Sequence, residues 1–124
     1  MAKILIVDDD PDVVEAVRLF LSKAGHEVVG SFSRAEGMSR LNDVKPDLLI
    51  LDVMMEQPDD GIAMAQDLRR SGFKKPIIML TSVSKALGMS YGRDNEMVPV
   101  DEFIEKPVLP TALIDKVNNL LKKA

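Results

Sequence analysis

The chain has no cysteine and no tryptophan, a single histidine, and only 4% aromatic residues. The missing thiols exclude a disulfide framework, a thiolate metal site and a cysteine nucleophile, and they fit a reducing cytosol. With one imidazole, His26, general-base chemistry through histidine has one candidate, and its place between Gly25 and Glu27 predicts an exposed turn residue. Few aromatics exclude a stacking platform for single-stranded nucleic acid. There is no basic excess either: 16 basic against 20 acidic side chains leave a net charge of −4, so no nucleic-acid partner is expected. No apolar run approaches the ~20 residues of a membrane-spanning helix, so membrane insertion is not expected. The start, Met1-Ala2-Lys3-Ile4, carries no signal-peptide pattern, which makes cytoplasmic localisation the expectation.

What remains is 124 residues, 46% hydrophobic and 29% charged, an ordinary balance for one globular domain spanning residues 1–124. Short apolar runs recur at Ile4–Val7, Val28–Val29, Leu48–Leu51 and Ile77–Leu80, with a weaker one at Phe103–Ile104. Most are continuous rather than alternating, as in strands buried on both faces of a parallel sheet. Helical stripes lie between and after them, Val13, Val17, Phe20, Leu21 and Ala24 forming one, and Leu113, Val117, Leu120 and Leu121 another. Asp10 with Pro11 reads as a helix start and Gly25 as its stop. Ser33 with Glu36 reads as a capping box for a helix to about Val44, and Gly61–Ser71 as a third helix stopped by Gly72. Strands and helices in alternation give an α/β fold, an open sheet with helices on both faces. The stretch Ser84–Val100, with two glycines, Pro99 and weak periodicity, predicts at most a short or irregular fourth helix and a long loop.

Sites in such sheets form beyond the carboxyl ends of the strands. Those ends deliver Asp8, Asp9 and Asp10, then Asp52, then Thr81, and finally Lys106. Gathered carboxylates repel one another unless a cation balances them, and an all-oxygen set without histidine or cysteine selects a hard ion, Mg2+ above all. The spacing Asp8-Asp10-Asp12 is no calcium loop, since Val13 stands at the sixth position and Leu19 at the twelfth. Bland readings stand beside each residue: Asp10 is better explained as a helix cap, Thr81-Ser82 alone reads as a turn, Lys106 alone as a surface lysine, Phe103 as core, and the methionines as core filler and contact surface.

Taken in order, Asp8-Asp9-Asp10 after the first strand, Asp52 after the third, Thr81-Ser82 after the fourth and Lys106-Pro107 after the fifth resemble the response-regulator receiver domains of two-component signalling. The resemblance covers the whole chain. It implies a flavodoxin-like, doubly wound sheet of five parallel strands in the order 2-1-3-4-5. It further implies that Asp52 accepts a phosphoryl group, with Thr81 and Lys106 contacting the phosphoryl oxygens. Mg2+ is then held by Asp9, Asp52 and the Met54 carbonyl, and by Asp8 largely through water. Thr81 and Phe103 become the switch pair, and Lys106-Pro107 a cis bond. The implied donor is a sensor histidine kinase or a histidine phosphotransfer protein; with no attached output domain in these 124 residues, the expectation is a stand-alone phosphoprotein that binds a downstream protein or relays phosphate rather than turning over a substrate.

Glu56 stands where most receivers have proline, Gly61 comes one residue late, and the stretch from Thr81 to Lys106 is longer than in the family. Apolar Met54 and Val83, flanking the route of an attacking water, predict slow autodephosphorylation. Two rivals remain at this point. One is a receiver-like docking module that takes no phosphate; the other is a haloacid-dehalogenase-type phosphohydrolase using Asp8 and Asp10.

Overall fold

The computed structural model describes residues 2–53, 55, 60–82 and 100–123. Five strands, β1 (Lys3–Val7), β2 (Glu27–Ser31), β3 (Leu48–Asp52), β4 (Ile77–Ser82) and β5 (Glu102–Lys106), form one sheet. All pairings are parallel and the order is β2-β1-β3-β4-β5. The described helices are α1 (Pro11–Lys23), α2 (Arg34–Val44), α3 (Asp60–Arg70) and α4 (Pro110–Lys123). Among the described residues no helix is long and apolar enough to cross a membrane. Of the expected irregular stretch Ser84–Val100, all but Val100 lies outside the described residues.

The pleat divides the strand residues between two cores. Ile4, Ile6, Ile50, Ile78 and Leu80 face α1 and α4, meeting Val14, Val17, Leu21, Leu113 and Val117. Leu5, Val7, Leu51, Ile77 and Met79 face the other way, where Met64, Ala65 and Leu68 of α3 cover them, with Met38 and Leu41 of α2 packed alongside. Residues of β1 and β3 are therefore buried whichever way they point, which is why their sequences read as unbroken apolar runs. Each fully buried Leu or Ile contributes about 1.5–3 kcal/mol through removal of its side chain from water.

The helix signals hold, with small corrections. The Asp10 side chain accepts the Asp12 amide at 2.9 Å, and Pro11 opens α1. At the other end Gly25 adopts φ +92, letting its own amide reach Ser22 O and the His26 amide reach Leu21 O. Gly72 closes α3 the same way, with φ +98 and the Phe73 amide on Leu68 O. The Ser33 hydroxyl accepts the Glu36 amide, but the Glu36 carboxylate reaches back to the amide of Phe32, one residue before the cap. On α1 the expected stripe is displaced: Val14 is fully buried and Ala24 is exposed, because the helix already ends at Lys23.

His26 also departs from expectation. It is half-buried rather than exposed, its Nδ1 accepting the Ala2 amide at 3.2 Å and its Nε2 lying 3.0 Å from Asn118 Oδ1. Those partners assign the neutral tautomer with hydrogen on Nε2. The ring thus ties the start of the chain to α4, a long-range contact that neighbouring residues could not signal.

Asp101 fixes where β5 begins. Its Oδ2 accepts the Ile77 amide at 2.8 Å and Arg69 Nη2 at 2.9 Å, while its own amide donates to Ile77 O. That clamp sets the register that places Lys106 opposite Ser82, at the carboxyl end of the sheet.

Candidate functional site

Three strands end in the same place. Asp8 follows β1, Asp52 is the last residue of β3, and Lys106 the last of β5. All three share the strand parity of the core under α1 and α4, so their side chains meet rather than diverge. Lys106 Nζ stands 3.1 Å from Asp8 Oδ2 and 3.1 Å from Asp52 Oδ1. Asp8 is oriented by its neighbours: its amide donates to Ser31 O, and its Oδ1 accepts the Asp10 amide at 2.9 Å. Asp9 is exposed at the mouth, yet an oxygen of each of Asp8, Asp9 and Asp52 lies within 4.8 Å of the others. Asp10 serves as the cap of α1 and is not part of this group.

Burial makes the cluster electrostatically unfinished. Asp8 is wholly buried and Asp52 is 6% exposed. Burial, and secondarily the Asp8 charge, push the Asp52 carboxyl up to about 6 against the pull of Lys106. Burial likewise raises Asp8, opposed by the Asp10 amide and by Lys106. For Lys106 burial acts downward, but the charges of Asp8 and Asp52 outweigh it and hold the ammonium above its ordinary value. One ammonium faces three carboxylates, so negative charge remains uncompensated. Asp8 Oδ2 is buried, and the Lys106 ammonium 3.1 Å away is its partner. Three converging carboxylates that share a single ammonium, without imidazole or thiolate among them, suit a small hard divalent cation.

Thr81 and Phe103 sit on the opposite parity. Thr81 is 3% exposed and lies inside β4, so Thr81-Ser82 is strand rather than turn. Met79 is the register partner of Phe103 and Thr81 that of Glu105, which makes Thr81 and Phe103 diagonal neighbours on one face of adjacent strands. Phe103 is half-buried against the core under α3. The Lys106-Pro107 bond is cis. Met54, Glu56, Val83 and Tyr91 lie outside the described residues.

One contributor escaped the sequence reading. A Cβ added to Gly61 would fall 1.9 Å from the Asp52 carbonyl oxygen, a contact no side chain can make. The Gly61 amide also donates to Val53 O at 2.9 Å. The first turn of α3 therefore rests directly on the backbone that carries Asp52. A glycine following an acidic loop was the available signal, since close backbone approach is one of the few reasons to require it.

Comparison with known proteins agrees with this geometry. The family model for the response regulator receiver domain matches residues 4–118. The alkaline phosphatase synthesis transcriptional regulatory protein PhoP of Bacillus subtilis is 31% identical over 98% of this chain and 49% of its own length. The response regulator SaeR of Staphylococcus aureus is 30% identical over 99% of this chain and 52% of its own. The chain thus spans about half the length of these curated relatives. Among solved structures, the receiver domain of the Francisella response regulator 1452 superposes with a TM-score of 0.85 at 26% identity, covering 99% of this chain and 98% of that one. Sheet order, the acidic cluster at its carboxyl end and these matches lead to one conclusion: the chain belongs to the response regulator receiver domain family of two-component systems.

Proposed function

We propose that this domain accepts a phosphoryl group on Asp52 from a phosphohistidine of a sensor histidine kinase or histidine phosphotransfer protein, and thereby changes the surface it offers a downstream protein. The observation that carries the reading is the convergence of Asp8, Asp9 and Asp52 on one spot with Lys106 3.1 Å from two of them. An Asp52 carboxylate oxygen attacks phosphorus, the P–N bond breaks, and its electron pair returns to the donor imidazole; the product is an acyl phosphate. Lys106 is placed to pair with a phosphoryl oxygen once the Asp52 charge is shared with phosphate. Asp8, Asp9 and Asp52, with the Met54 carbonyl, are the proposed holders of Mg2+, which when bound neutralises charge on the transferring group. Thr81 and Phe103, diagonal neighbours on the far face, are the proposed switch pair, the hydroxyl engaging the phosphoryl group and the ring following it. The domain consumes one phosphoryl group per cycle and is in this reading a phosphoacceptor, not a turnover enzyme. The phosphohydrolase alternative needs Asp10 beside Asp8, and the Asp10 side chain is instead engaged as the cap of α1, accepting the Asp12 amide.

The test is intact mass after incubation with acetyl phosphate and Mg2+, for the wild type and Asp52→Ala. One phosphoryl adduct is expected on the wild type alone, and only with Mg2+. No adduct under any condition sinks the proposal in favour of a docking module that takes no phosphate.

A further inference from the structure

At the opposite end of the sheet, the carboxyl ends of α2 and α3 leave a groove of about 520 Å3 between them. Its floor is apolar, built from Leu41, Leu68, Pro46 and Phe73. Its rim carries Lys45, Lys74 and Lys75, all exposed.

These lysines are not spoken for. Lys3, Lys106 and Lys116 pair with carboxylates, whereas Lys45, Lys74 and Lys75 make no ion pair among the described residues. Nor does the end of α3 need Lys74 and Lys75, because Arg69 and Arg70 already occupy its last turn. The walls are preformed. Gly72 turns the chain back under α3, the Phe73 amide is held by Leu68 O, and Arg69 Nη1 donates to Phe73 O and Lys75 O at 2.9 Å each. On the other side the Lys45 amide donates to Leu41 O and closes α2. An apolar slot with a cationic rim on a fixed backbone, in a chain of net charge −4, is a local reversal of the molecule's sign.

We infer that this groove is a second docking site, for an acidic peptide segment that places one apolar side chain on Leu41 and Phe73 and its carboxylates against Lys45, Lys74 and Lys75. Charge complementarity selects the class of partner. The volume falls within the range of small-molecule pockets, roughly 300–1,000 Å3, and so leaves room for an apolar side chain. The groove stands apart from Asp52, so occupancy and phosphorylation can be measured separately.

The experiment is a titration of the 15N-labelled protein with a blocked peptide of glutamates around one leucine, followed by amide shifts. The controls are the same peptide with serine for leucine and a peptide of lysines around leucine. Expected are shifts confined to residues 41–46 and 68–75, weak or absent with both controls. The triple variant Lys45→Glu, Lys74→Glu, Lys75→Glu should weaken binding by about tenfold or more, with added salt acting in the same direction. Asn42, exposed on α2, also lines the groove; Asn42→Trp, which adds bulk there without changing charge, should also abolish the shifts, and phosphorylation by acetyl phosphate should be unchanged in both variants. Shifts elsewhere, equal binding of the lysine peptide, binding insensitive to the charge reversal, or capture only by vesicles of anionic lipid or by a second copy of the chain would overturn the inference.

Discussion

Asp52→Asn in the metal-free protein should be stabilising, and the structure gives the size. Burial and the neighbouring Asp8 charge lift the Asp52 carboxyl from 3.8 to about 6, even with Lys106 at 3.1 Å. The folded protein therefore binds this proton more tightly than the unfolded chain does. The contribution of Asp52 to stability is fully present below about pH 4, is lost as pH rises through about 6, and leaves a constant penalty above that. A displacement of that size corresponds to about 3 kcal/mol at most; relaxation and water entry bring the expected value to roughly 1–3 kcal/mol. Asparagine keeps the shape and removes the charge, while Lys106 retains Asp8 as partner. In urea at pH 7.5 with EDTA, the variant midpoint should rise by roughly 1–2 M for an m value of about 1.5 kcal/mol/M. The gain should shrink toward zero as pH falls to 4, and Mg2+ should close much of it at pH 7.5 by stabilising only the wild type. Far-UV circular dichroism over a pH series, with and without Mg2+, measures all of this. A variant no more stable than wild type at pH 7.5 in EDTA, or a gap that widens toward acid, would refute the electrostatic account.

Three further outcomes are expected. Lys106→Met leaves Asp8 and Asp52 without their shared cation and should cost about 3 kcal/mol at pH 7.5 in EDTA, read from the same urea curves, with much of the loss recovered below pH 5. Gly61→Ala forces a Cβ against the Asp52 carbonyl oxygen, so it should cost more than about 2 kcal/mol and weaken Mg2+ binding measured by calorimetry. His26→Ala removes the bonds to Ala2 and Asn118 and should cost about 1–2 kcal/mol in thermal unfolding while leaving phosphoryl uptake from acetyl phosphate unchanged.

What the sequence made legible was whatever is local or periodic. The continuous runs of β1 and β3 gave burial on both faces, and Asp10-Pro11, Ser33, Gly25 and Gly72 gave the helix ends, because each acts through bonds to residues within one turn. Asp8, Asp52 and Lys106 were legible as a group because each stands at a strand end, and in a parallel sheet those ends are neighbours, whereas Thr81, named from the same signal, points to the other face. Strand lengths were read short: Thr81 and Lys106 belong to the strands themselves, since polar residues there keep the ladder while ending the apolar run. Distant contacts were not legible. Nothing beside His26 announces Asn118, and the glycine at 61 signals a close backbone approach without saying which carbonyl it rests on.

That last contact has a consequence for how the domain tolerates change. Val53 and Gly61 are joined across the intervening loop by the 2.9 Å bond from the Gly61 amide to Val53 O, while Gly61 lies flush on Asp52. The clasp fixes both ends of that span against the backbone that carries Asp52, so the position of α3 is set at the site rather than by the residues between. Closing a slightly longer loop costs only a few tenths of a kcal/mol. A change in the number of residues between Val53 and Gly61 is thus met by a joint that already holds the two ends together.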